Sequence, residues 1–484
     1  MPIGPLPSDP NLEQLKNQAR DLQRRVRAGD AEAVALIREL HPQATPDASF
    51  RLADAQHALA RGYGQPSWAR LKAFVEVVTR WTRAPHRQEA ADTVEDEVLR
   101  LGCLTYGADR PERRAQAAAL VEANPGLAAR SAHLAALLGD VEALRGHLAR
   151  APGDAKRQAG PYRWAPLLYL AYGRLGLGDP VAAATALLDA GADPDAGFLW
   201  EGMTFPPFTA LTGAFGGGEQ GPANQPMHPQ GAELAALLLA RGADPDDRQT
   251  LYNRHFEPDD THLELLFAHG LGRGGGAWEQ RLAAIAFQPI RVELEDQLRF
   301  AADRGLAHRV ALLLAHGVDP DGPGAHPALR GHKALALAQA AGATEVVRLL
   351  QEAGARGPAL SPAEALIVAA MAGDAAAAQA PPEVIAAARA RAPGQVAAAA
   401  ARGNAAAVRL LVQLGWDPSF RPRGTALHEA AWRGDREMAE LLLSLGVDPT
   451  IRDTSFDAPA SGWARHAGHE ALADWLAEQA GEGG

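Results

Sequence analysis

Few residues of this chain have both a type and a spacing that could do chemistry. His466 and His469 stand three apart, so a helix would place them on one face, where a pair of imidazoles can begin a zinc site. Such a site wants further ligands, and no carboxylate or cysteine completes it. Gly270-Leu271-Gly272-Arg273-Gly274-Gly275 satisfies G-x-G-x-x-G. Dinucleotide binding needs that loop between a strand and a helix. A leucine-rich helical pattern precedes it here and no phosphate-loop lysine follows, so it reads as a flexible insert. The single cysteine, Cys103, permits no disulfide within the chain. It reads as a small buried apolar side chain, with a reactive thiol as the lesser alternative. Ser67 and Ser131 fall at helix starts and read as caps, and no glycine-flanked serine nucleophile occurs. The expectation is a protein that is not an enzyme, with no catalytic residues, no cofactor and no metal.

Aromatic residues are more informative. Tyr162, Trp164, Tyr169, Tyr172, Phe198, Trp200, Phe205, Phe208 and Phe215 are nine of the chain's 27 aromatics, gathered between residues 159 and 215. Tyrosine and tryptophan bury much area with few rotatable bonds and keep a polar handle, which favours them at interfaces. Two readings follow. The cluster fills an irregular local core, or Tyr162, Trp164, Tyr169, Tyr172, Trp200 and Phe205 anchor a partner. Exposure of Trp164 and Trp200 separates the two.

The elements that must position these residues repeat. Gly-x-Asp-Pro recurs from Gly191, Gly242, Gly317, Gly415 and Gly446, with degenerate versions at Gly270 and Gly354. Four residues before these glycines stand Leu187, Leu238, Leu266, Leu313, Leu350, Leu411 and Leu442. Twelve residues before four of them stand Gly305, Gly342, Gly403 and Gly434. In one copy, Thr425 caps a first helix, Gly434 ends it, and Asp435 caps a second helix striped by Met438, Leu441, Leu442 and Leu445. Asp448-Pro449 then turns the chain. One such pair cannot bury its own apolar stripe, so the copies must stack.

Thr425-Ala426-Leu427-His428-Glu429-Ala430, followed by Gly434, Leu441-Leu442 and Gly446-Val447-Asp448-Pro449, resembles an ankyrin repeat. Ala165-Pro166-Leu167 and Thr209-Ala210-Leu211 are similar to it more weakly. The resemblance covers about residues 123–480 and is eroded around 249–300 and 360–395. It implies an all-α ankyrin-repeat solenoid of nine or ten units, with units near 123–157, 158–197, 198–248, 249–276, 294–324, 325–358, 360–390, 391–422, 423–453 and 454–480. Inserts break the period near 216–230 and 270–288. It also implies that His428 bonds between repeats, and that Trp200 and Phe205 lie in a turn projecting as a finger beside a concave groove.

Residues 1–80 carry helical stripes of another pattern, expected as a small N-terminal helical bundle, and 81–122 read as a linker with two lead-in helices. Leu52-Ala53-Asp54-Ala55-Gln56 and Gly64-Gln65-Pro66-Ser67-Trp68 resemble a helical leader found in bacterial ankyrin-repeat proteins. Residues 1–90 hold 13 Lys and Arg against 10 Asp and Glu, and the remainder 34 against 48. The acidic array favours a basic partner through electrostatic steering and argues against nucleic acid. No signal segment and no run of about 18 apolar residues occurs, so a membrane partner is not expected and the cytoplasm is. The function these features point to is a protein or peptide interaction scaffold. The alternatives are a nucleic-acid-associated regulator using the mildly basic N-terminal helices, or an enzyme with a site in the irregular middle repeats.

Overall fold

Every Gly-x-Asp-Pro copy ends a helix in the same way. The glycine takes a left-handed backbone, with φ from 80° to 94° at Gly191, Gly242, Gly317, Gly415 and Gly446, where a Cβ would be strained. The next N–H returns to the carbonyl of the leucine four before the glycine, as from Ala192 to Leu187 (2.9 Å) and from Val447 to Leu442 (3.1 Å). This is a Schellman closure. The aspartate then accepts the N–H two residues on, Asp193 from Asp195 at 3.0 Å and Asp448 from Thr450 at 2.8 Å. Asp244, Asp319 and Asp417 do the same, so the aspartate side chain builds the turn that the proline prolongs. All seven leucines of the repeat are buried, each worth ~2 kcal/mol of transfer from water.

The computed structural model describes residues 6–7, 10–201, 206–283, 287–357, 359–421 and 423–481. The fold is all-α. It forms two compact units, Met1–Ile290 and Arg291–Gly484.

The first unit begins with four helices, Leu12–Arg27, Ala31–Leu40, Leu52–Gly62 and Trp68–Trp81, with the third contacting the other three. Asn11, Asp30 and Ser67 cap three of them through their side chains. Of the expected stripe Leu12, Leu15, Ala19 and Leu22, the last three are buried and Leu12 is half-buried. Helices Val94–Gly102 and Pro111–Ala123 follow, and then the stack. Its first helices, Ala132–Leu137, Pro166–Tyr172, Ala210–Phe215 and Arg248–Arg254, touch in succession. Its second helices, Val141–Arg150, Pro180–Asp189, Gly231–Ala240 and Thr261–Ala268, make a parallel row.

A small sheet, which the helical reading does not anticipate, ties the N-terminal helices to this stack. Strand β1 (Thr82–Arg83) pairs parallel with β2 (Gly197–Trp200), which pairs antiparallel with β3 (Phe208–Thr209). A Cβ on Gly197 would lie 2.7 Å from the Phe208 carbonyl oxygen and 2.8 Å from the Trp278 ring, so this residue must be small for the strands to close. Both inserts are folded down. Arg174 donates to the Pro226 carbonyl at 2.9 Å, and Arg114 to those of Ala223 and Asn224. In the other insert, Trp278 is buried edge-on to Trp81.

In the second unit, helices Ala334–Ala341, Pro362–Met371, Gln395–Ala401, Ala426–Arg433 and Ala460–His466 include the inner row. Gln395–Ala401, Ala426–Arg433 and Ala460–His466 contact one another in order, each packed on its own second helix, Ala405–Gln413, Arg436–Ser444 and Glu470–Gln479. Between Pro362–Met371 and Gln395–Ala401 the pattern erodes: the second helix shrinks to one short turn, Ala375–Gln379.

Candidate functional site

The aromatic residues singled out in the first unit turn inward. Tyr169 and Tyr172 are buried on the Pro166–Tyr172 helix, and Tyr162 and Trp164 come from the loop before it. Trp164 lies between Tyr172 and Phe198, both at 5.0 Å between ring centres, with Tyr162 at 4.7 Å. The phenols are spent internally. Tyr162 donates to the Arg100 carbonyl, Tyr169 to that of Ala159 (3.0 Å) and Tyr172 to that of Thr209 (3.0 Å). None of these four side chains is exposed. Trp200 is half-buried, with its indole N–H on the Thr105 carbonyl at 3.0 Å and one face stacked on His86 at 3.9 Å. Phe205 lies outside the described residues.

The residues of possible chemistry are likewise in structural use. The Gly270 loop presents N–H groups as a phosphate cradle would, but they serve the protein's own carboxylates. Gly272 and Gly274 donate to Asp246 at 2.7 and 2.8 Å, and Gly275 to Glu279 at 2.6 Å. Cys103 is buried, and burial pushes its thiol up, away from the reactive thiolate. His466 and His469 part company: His466 lies against Trp432, whereas His469 sits where a side chain on Gly434 would be. His428 accepts from the Thr425 N–H (3.1 Å) through Nδ1 and donates through Nε2 to the Ala458 carbonyl (3.2 Å), a bond that crosses from one repeat to the next. Burial lowers its pKa and keeps the ring neutral for that double role.

A site the sequence reading missed lies in the second unit. Arg423, Glu429, Trp432, Phe456, Ala458, Gly462, Trp463 and His466 line an open cavity of about 540 Å³. Glu429 and Trp432 stand three apart on the Ala426–Arg433 helix, and so share a face. Gly462, Trp463 and His466 come from Ala460–His466, and Phe456 from the loop between the repeats. Trp463 is held by its indole N–H on Asp453 Oδ2 at 3.0 Å, and edge-on to His428 at 5.2 Å. Burial opposes the Asp453 charge, but the Trp463 indole and the N–H groups of Phe456, Ser455 and Ala458 outweigh it and hold the carboxyl well below its usual range.

That scaffold leaves other faces open. Trp432 is 50% exposed and Phe456 71% exposed, and Trp432 stacks on His466 at 5.8 Å. The Arg423 guanidinium lies 5.8 Å from the Phe456 ring centre and 5.0 Å from that of Trp463, so these faces already hold a cation. Half-buried Glu429 has a carboxyl raised by burial, against the pull of Arg423. One signal was there to find. Two residues before Gly305, Gly342 and Gly403 stand Asp303, Ala340 and Ala401; two before Gly434 stands Trp432.

Residues 394–453 match the family model described as ankyrin repeats (3 copies). This class of repeat serves generally as a protein–protein interaction module. The match takes in Glu429 and Trp432 and stops short of Phe456, Trp463 and His466. No curated protein matches the chain. Among the described residues, no helix is long and apolar enough to cross a membrane.

Proposed function

We propose that this chain is a non-enzymatic cytoplasmic scaffold whose C-terminal ankyrin repeats dock a peptide segment of a partner protein in the Trp432–Phe456–Trp463 cavity. One observation carries the reading. The two most exposed of the large exposed hydrophobic residues described, Trp432 and Phe456, border the same cavity, where the family match points to a binding module. An apolar side chain of the partner entering between these rings covers area now facing water. Aromatic residues in such a setting carry a large share of interface energy. A basic residue beside that anchor would meet Glu429 in competition with Arg423, in keeping with the acidic balance of the chain beyond residue 90.

Selection of displayed peptides on the full chain tests this. Selected peptides lose about tenfold or more in affinity to Trp432→Ala and Phe456→Ala, the range of a residue worth more than 1 kcal/mol. Glu429→Gln weakens those that carry Lys or Arg. Peptides that bind the Trp432→Ala/Phe456→Ala double variant as well as the parent chain would place docking elsewhere.

A further inference from the structure

A second cavity, in the first unit, has more cations than anions in its wall. It measures about 200 Å³, and its wall includes Trp81, Arg83, Lys156, Arg163, Trp164 and Phe198. Arg83 is 7% exposed, yet its guanidinium meets only neutral acceptors: the carbonyls of Thr82 (2.7 Å), Arg80 (3.0 Å) and Arg163 (3.3 Å), and Gln158 Oε1 (2.8 Å). A buried cation ordinarily has a counter-charge, because desolvation is costly without one. Among the described residues none pairs with Arg83. Burial, and then the like charge of Arg163, lower its pKa.

Lys156 and Arg163 add two more cations to the same wall, and among the described residues neither forms an ion pair. One acid, Asp193, also lines this wall and is already engaged, paired with Arg281 at 2.6 Å and accepting the Asp195 N–H at 3.0 Å. Arg163 itself holds φ of 52°, a left-handed conformation unfavourable for a long side chain.

The tryptophans supply an independent sign. Trp200, Trp278, Trp416 and Trp463 each donate the indole N–H to an oxygen. Trp164, 1% exposed, has no acceptor for its indole N–H among the described residues. A buried donor without an acceptor is costly, and this one belongs to a ring in the wall of a cavity rich in uncompensated positive charge.

We propose that this cavity binds a small organic carboxylate, its oxygens set among Arg83, Lys156, Arg163 and the Trp164 N–H, and its apolar body against Trp81 and Phe198. One carboxylate then supplies both missing partners, the counter-charge and the acceptor. The aromatic wall favours a carboxylate with an apolar body over a bare inorganic anion.

Calorimetric titration of the full chain with benzoate, acetate and inorganic phosphate tests the assignment, with the Trp164 indole N–H followed by NMR. Benzoate is expected to bind one to one, more tightly than acetate or phosphate, and to shift that resonance. Trp164→Phe, which keeps an aromatic ring and removes the donor, weakens benzoate about tenfold, the scale of one charge-assisted hydrogen bond. Lys156→Gln/Arg163→Gln changes exposed side chains only and weakens it at least as much, so the test survives should Trp164→Phe fail to fold. The proposal is overturned if benzoate does not bind. It is equally overturned if the Lys156/Arg163 variant binds benzoate unchanged, or if phosphate binds more tightly than benzoate.

Discussion

The two aromatic clusters use the same residue types to opposite ends. Around Trp164 the rings enclose one another and the phenols are bonded to backbone carbonyls within the first unit. Around Trp432 one tryptophan, Trp463, is fixed by Asp453, while Trp432 and Phe456 keep much of their area in water. Density along the chain drew attention to the first cluster, whereas openness singles out the second. A stretch rich in aromatics is crowded because its members touch each other, and contact among themselves leaves little for a partner. Trp432, at a position where sister repeats carry alanine or aspartate, meets only His466 and the edge of Trp463 and keeps half of its surface in water.

The sharpest way to break this contrast is to truncate its centre. Trp164→Ala removes a fully buried ring and should destabilise the first unit by about 3–5 kcal/mol, with a clear fall in melting temperature. Were Trp164 a docking residue, the same variant would impair binding at unchanged stability. If Trp164→Ala melts with the parent chain, the core description of that cluster is wrong.

Acid separates the clusters less strongly. Burial, with Arg174 close by, pulls His228 in the first unit down to about 3. Since the unfolded chain takes up a proton near pH 6.5, His228 contributes stability above that pH, and the contribution is lost as the pH falls from 6.5 towards 3. At its limit the term is about 5 kcal/mol. Asp244, raised to about 6 mainly by burial, works in the other direction and gains stability for the fold as the pH drops below 6. A melting curve therefore mixes the two, and an NMR titration of the His228 ring does not. The ring should stay neutral through pH 5; a midpoint near 6 would mean that His228 is not sealed from water.

Much of this architecture was legible because repetition exposes backbone constraints. The glycine must be left-handed, the aspartate must close the turn, and the leucine four residues earlier must be buried, so the three recur together at Leu187 and Gly191 as at Leu442 and Gly446. The N-terminal helices were readable from stripes such as Leu12, Leu15, Ala19 and Leu22. What did not show was anything settled by contacts distant in sequence. Strand β1 is two residues long and exists because β2 comes to lie beside it. The division after Ile290 follows no composition shift that marks it. The cavity at Trp432 needs Phe456 and Trp463 from the following repeat, and no local pattern foretells which of their faces stays uncovered.

Within the second unit, support and contact can be told apart by a pair of substitutions. Asp453→Ala leaves the Trp463 indole and the N–H groups of Ser455, Phe456 and Ala458 without their acceptor. It should cost about 2–3 kcal/mol, the range for orphaned buried donors, and should impair peptide docking by disordering the cavity wall. Thermal unfolding and peptide titration measured on one preparation check both halves. Retained stability would show that water replaces the carboxylate and that the wall does not depend on it.

Trp432→Ala has the smallest expected effect on stability and is for that reason the most telling. Among the described residues its indole makes no hydrogen bond, one face is on His466, and half of its surface is already in water. Little burial is lost on truncation, so the stability change should stay within about 1 kcal/mol, while affinity for a docked peptide falls by a far larger factor than that change explains. If stability drops as far as it does for Trp164→Ala, Trp432 is a packing residue that happens to be visible from outside. If neither stability nor peptide affinity moves, the open face at the second cluster serves nothing, and the distinction between a closed and an open aromatic cluster loses its functional meaning.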